Sequence, residues 1–183
     1  MPQRRPPHLP HPHPRPALPD RPPLQLEISS PASGGRRLVA PLKRRLREAC
    51  RLIRPPMREL SIALVDDGQM AKLHAQFLGI AGPTDVLTFE LEHDDRNRVI
   101  AGEIVVCIPE ARRQAAARGV KIADEVLLYA LHGMLHLSGF DDRTERGFRA
   151  MHRREDQILT ALGVGPVFNR PPPSRTRRGV GAE

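Results

Sequence analysis

Two histidines stand four residues apart in the segment His132-Gly133-Met134-Leu135-His136-Leu137-Ser138-Gly139-Phe140-Asp141-Asp142. On a helix this interval places both imidazoles on one face, a turn apart, within reach of a single metal ion. Ser138-Gly139 ends the helix, and Asp142, six residues after His136, can swing back as a third ligand. Three protein ligands with a fourth position left to water are the arrangement of a catalytic zinc rather than a sealed structural one. The expectation is one Zn2+ per chain held by His132, His136 and Asp142. The competing expectation is a pair of core histidines bonded to carbonyls or water. Gly133 stands where a zincin protease carries its glutamate general base, so a protease reading lacks its base.

The elements that must position these residues can be traced along the chain. Glu125 to Leu137 is apolar almost all the way round, the pattern of a helix buried on every side. A neutral imidazole there needs a partner, and a metal is a good one. Leu24–Ile28 and Glu59–Val65 read as strands, with a helix between them from about Leu38 to Ile53. Lys43, Arg44, Arg45, Arg47, Arg51 and Arg54 fill much of that helix's polar surface, either as a solvated face or as phosphate contacts. Asp66-Asp67 are placed to cap a helix over about Gly68–Phe77, with Met70, Leu73 and Phe77 inward and His74 on the surface. Val86–Leu91 and Arg98–Ile108 form two more strands, antiparallel if joined as a hairpin. Pro109 opens a helix that Gly119 closes. The last helix, about Thr144 to Leu162, turns Phe148, Met151, Ile158 and Leu162 inward, with His152 as a surface residue or a rival third ligand. Together these give an α+β single domain with a mixed sheet of about four strands packed by about five helices.

His132-Gly-x-Leu-His136-Leu-x-Gly-Phe-Asp141 resembles the signature of the YbeY family, bacterial endoribonucleases and ribosomal RNA maturation factors. The family pattern has three histidines as H-x3-H-x5-H, and Asp142 stands at the third. Pro83-Thr84-Asp85-Val86-Leu87-Thr88-Phe89 and Gly102-Glu103-Ile104 resemble two further segments of that family. Many members carry an arginine before the Gly79 position, where this chain has Leu78; Ile80 and Gly82 occupy places that are often basic. The likeness covers about residues 24–164. It implies a metal-dependent, single-strand-specific endoribonuclease acting in rRNA processing and small-subunit ribosome maturation. Its partners would be single-stranded ribosomal RNA and proteins of the small subunit. The alternative is a non-catalytic RNA-binding assembly factor whose zinc is structural or vestigial, and a metal hydrolase acting on another substrate comes third.

Proton-transfer candidates near such a metal are Asp141 and Asp85. Each has a plainer role: Asp141 as cap of the last helix, Asp85 as the group that fixes the Pro83-Thr84 turn. Arg44, Arg47, Arg112 and Arg143 are equal candidates for holding a phosphate. No residue is singled out as catalytic.

The 183 residues suffice for one domain with a substantial core, built from aliphatics, since the chain has five Phe, one Tyr and no Trp. The net charge is +8, yet residues 1–23 and 165–183 each contribute +3, leaving the middle nearly balanced. Residues 1–23 hold ten of the twenty prolines together with His8, His11 and His13, the composition of a disordered arm. Residues 165–183 read as a second Pro/Arg/Gly tail. Cys50 and Cys107 lack metal-like spacing and read as reduced thiols of a cytoplasmic protein. No apolar run is long enough to span a bilayer.

Overall fold

The computed structural model describes residues 23–167, so the expectations for the outer parts of both tails lie outside the described residues. In chain order the elements are β1 Gln25–Ser29, α1 Arg36–Ile53, β2 Glu59–Val65, α2 Asp67–Leu78, β3 Val86–His93, β4 Val99–Cys107, α3 Ile108–Arg118, α4 Ile122–Leu137 and α5 Glu145–Ala161. The four strands form one mixed sheet in the order β1-β2-β4-β3. β1 pairs parallel with β2, and β2 parallel with β4, while β3 and β4 form the antiparallel hairpin. The α+β expectation holds.

Alternation along the strands divides the core in two. Leu60, Ile62 and Leu64 of β2, with Ile104 and Val106 of β4, face α1, α4 and α5. Val65, Val105, Cys107 and Leu87 face the other way, onto Met70 of α2. α4 therefore lies in the thick layer, with Leu127, Leu131, Met134 and Leu135 fully buried. Glycine makes that packing possible at one point. A Cβ at Gly133 would lie 2.9 Å from the Thr88 hydroxyl and 3.0 Å from Ile104, so α4 rests on the sheet through this residue.

The helix ends follow local chemistry. Asp66 caps α2 by accepting from the Gln69 amide, with the Gln69 side chain returning to the Asp66 amide as a capping box. Arg54 ends α1 in a left-handed conformation, φ 53°, just before Pro55-Pro56. Among the described residues no helix is long and apolar enough to cross a membrane.

Three side chains depart from the helical-face expectation. Phe77 is 55% exposed rather than inward, its ring edge-on to Phe89 with centroids 4.8 Å apart. α2 contributes Met70 and Leu73 to the small core beneath it. Phe148 is exposed rather than inward, packed edge-on against His152. His152, expected at the surface, is buried.

Candidate metal centre

His132 and His136 sit on the last turns of α4, half-buried, where the helix emerges from the core toward the edge strand β3. Their Nε2 atoms face each other at 3.0 Å. Asp142, on the loop after the helix, brings its carboxylate to 3.8 Å from His132 Nε2 and 3.7 Å from His136 Nε2. One ligand atom from each of the three residues lies within 4.8 Å of the other two. The three residues singled out from spacing are thus brought together.

The far side of each ring decides what the near side can do. His136 Nδ1 lies 3.1 Å from the Phe140 carbonyl oxygen, and His132 Nδ1 lies 2.8 Å from Glu155 Oε1. A carbonyl and a carboxylate accept, so both Nδ1 atoms carry the proton and both rings, when neutral, present lone pairs from Nε2. Two lone pairs 3.0 Å apart beside a carboxylate repel unless a metal ion lies among them or one ring is protonated and donates to the other. Ligand nitrogens about 2.0–2.1 Å from a tetrahedral zinc stand roughly 3.3 Å apart. The donor set and its spacing fit such an ion.

Glu155 is the residue that sequence reasoning missed. It is fully buried on α5, and its second oxygen, Oε2, lies 2.6 Å from His152 Nδ1. One carboxylate thus fixes two imidazoles, and the His132 and His152 rings stack at 6.3 Å. His152 does not join the three converging groups. Glu155 was findable: it falls four residues after Met151 and three before Ile158, on the inward stripe of α5. Burial disfavours the His132 imidazolium, but the hydrogen bond and charge of Glu155, with the charges of Asp142 and Asp85, outweigh it and raise the ring's pKa.

The remaining acids have structural duties. Asp85 accepts from the Thr84 hydroxyl and the Val86 amide, fixing the turn as expected. Asp141 does not cap α5. Thr144 does, accepting from the Gly147 amide at 3.1 Å. Asp141 instead binds Arg143 through its amide and guanidinium, and this contact holds the Asp141 carboxyl down to about 2. It stays ionised and is a poor proton donor. The two thiols are no better as nucleophiles, since desolvation pushes Cys50 and Cys107 up to about 11.

The three groups open into a cleft of about 740 Å³ between β3 and the Gly139–Arg143 loop, with Leu78, Thr88 and Phe89 on its walls. Gly133 packs on the sheet, and a side chain there would press on Thr88 and Ile104. With glycine in that tight place the chain carries no zincin general base.

The fold and site define a class: a small α+β domain whose buried helix presents a His-x3-His pair to an open cleft. Residues 37–163 match the family described as Endoribonuclease YbeY, and the chain belongs to that family. A protein named Endoribonuclease YbeY from Gloeobacter violaceus is 41% identical over 119 residues, covering 62% of this chain and 60% of that protein. One of the same name from Geobacillus kaustophilus is 35% identical over 136 residues, covering 69% of this chain and 87% of that protein. The chain thus spans less than two thirds of the Gloeobacter protein. The solution structure of TM1509 from Thermotoga maritima is similar at TM-score 0.54 and 27% identity, covering 82% of this chain and all of that one.

Proposed function

We propose that the protein is a zinc-dependent, single-strand-specific endoribonuclease that hydrolyses RNA phosphodiesters in rRNA processing and small-subunit ribosome maturation in the cytoplasm. The observation that carries this reading is the pair of Nε2 lone pairs, 3.0 Å apart and flanked by Asp142, in a chain of the YbeY family. His132, His136 and Asp142 hold the ion, one per chain. When bound, the metal supplies Lewis acidity that lowers the pKa of water toward neutrality and polarises a phosphoryl oxygen. The protein supplies orientation. Glu155 and the Phe140 carbonyl lock the imidazoles with Nε2 toward the cleft, so the donors are preorganised before the ion arrives. Phe89 and Leu78 give the cleft an apolar wall suited to a nucleobase rather than to a second charge.

One observation favours the second reading, a non-catalytic assembly factor. Leu78 lines the cleft at the position where the family resemblance places an arginine. Cleavage of single-stranded ribosomal RNA by the zinc-loaded protein, beside His136→Ala under the same conditions, separates the two. Cleavage by the wild type alone supports the nuclease. Equal activity in both preparations, or none in either, supports the assembly factor.

A further inference from the structure

The cleft does not end at His136. A second recess of about 420 Å³ shares Glu90, His136 and Gly139 with it and runs on to Arg54, Pro56 and Arg98. Arg98 is held by Asp94 at 2.6 Å and has little charge to offer. Arg54 is different. It is exposed at the end of α1, and behind it Arg51, Arg47 and Arg44 follow at intervals of three, four and three residues. That spacing keeps Arg51, Arg47 and Arg44 on one face of the helix, and Arg54, in its left-handed cap, follows at their end. The three helical arginines span about 10 Å at 1.5 Å per residue.

These arginines have no structural employment. Among the described residues none of the four has a carboxylate partner, whereas the neighbouring Arg45, turned toward α4, pairs with Asp124 at 2.5 Å. The helix is anchored by Leu42, Leu46 and Ala49 on its other face. Water and salt screen these exposed charges in the free protein, and a polyanion laid along the stripe would release those counterions. Arg154 of α5 adds a cation near the same end, donating to the Leu52 carbonyl at 2.7 Å.

We propose that α1 is a track for the RNA strand. The chain leaves the histidine site over Glu90 and Gly139, crosses Arg54, and lays its phosphates along Arg51, Arg47 and Arg44. This inference rests on RNA being the substrate of the cleft. Because the track contacts only backbone phosphates, it adds affinity without sequence preference.

The test uses the full chain, so that the basic tails are the same in every protein. Binding of a fluorescein-labelled twelve-nucleotide single-stranded RNA is followed by anisotropy across a salt series, for wild type, Arg47→Gln/Arg51→Gln and Lys72→Gln. Lys72 is an exposed cation on α2, which packs on the other face of the sheet from α1, and serves as a charge control. At about 0.7 in log–log salt slope per phosphate contact on single strands, the double variant should lose roughly 1.4 of slope. Lys72→Gln should lose none, and thermal midpoints should match. Cleavage of the long RNA should show a raised KM with kcat held, while a trinucleotide too short to reach α1 is cut equally by all. An unchanged slope in the double variant, or an equal loss in Lys72→Gln, overturns the track whatever the cleavage result. A slope that falls as expected while no protein cleaves leaves the track standing and sinks the nuclease reading instead.

Discussion

Gly147 approaches Asp141 so closely that a Cβ built on it would lie 2.0 Å from the Asp141 carbonyl oxygen. The first turn of α5 therefore seats the loop that carries Asp142, and only glycine allows that seat. The obstructing atom is backbone, so it cannot rotate aside as a side chain would. Gly147→Ala should lower stability by about 1–3 kcal/mol as the loop or the first turn shifts. It should also weaken zinc binding, because Asp142 leaves the two histidines. Urea unfolding with and without zinc reads both effects, and a variant that keeps wild-type stability and zinc affinity would contradict the seating of the Asp142 loop by Gly147.

The buried Glu155 makes a second demand. A glutamine there offers one acceptor oxygen to two Nδ1–H donors, so either His132 or His152 loses its partner and the amide's own hydrogens face a donor. Glu155→Gln is expected to reduce zinc affinity by about 10–100-fold, measured by competition with a chromogenic chelator. His152→Gln, which leaves the Glu155–His132 contact in place, should cost much less. Equal losses in the two variants would mean that the whole cluster acts as packing.

Glu155 also marks the limit of what the sequence makes legible, since its inward position could be read from the stripe of α5 but its partner could not. His132, His136 and Asp142 declared themselves because helical spacing and a glycine break are local signals. The strands and helices did so because alternation and 3.6-residue periodicity are local too. Glu155 reaches His132 across 23 residues of chain, on a helix whose many arginines suggest a solvated surface. Phe77 and Phe148 misled for the opposite reason. Apolar character suggests an inward face, but the two rings lie exposed, Phe77 edge-on to Phe89 and Phe148 edge-on to His152. The Arg118–Glu125 contact at 3.0 Å was likewise hidden, since an acid in an apolar helix gives no sign of its partner.

Asp142 stands where the family pattern has a third histidine, and that exchange should be visible as metal preference. Carboxylate oxygen suits harder ions such as Mn2+, whereas imidazole suits zinc. Asp142→His is expected to raise the ratio of zinc to manganese affinity relative to wild type. Calorimetric titration with each ion gives the ratio. A ratio unchanged by the substitution would show that position 142 does not touch the metal.

Glu125 gives the fold a pH dependence of its own, at the other end of α4 from the histidine pair. It is buried on α4, and that burial raises its pKa above the usual 4.5, partly offset by Arg118 and by the hydrogen bond from Tyr129. A carboxyl whose folded pKa lies above its unfolded one contributes stability that is full below the unfolded value and lost as pH rises through the folded value. Wild-type stability should therefore fall, relative to Glu125→Gln, as pH rises from about 4.5 toward neutrality, because the glutamine has no charge to bury. Urea midpoints of the two proteins across that range test the sign, and a gap that stays constant, or that widens in favour of wild type, would contradict it. Arg118→Leu removes the ion pair that offsets the burial, so in that variant the fall should be steeper than in wild type.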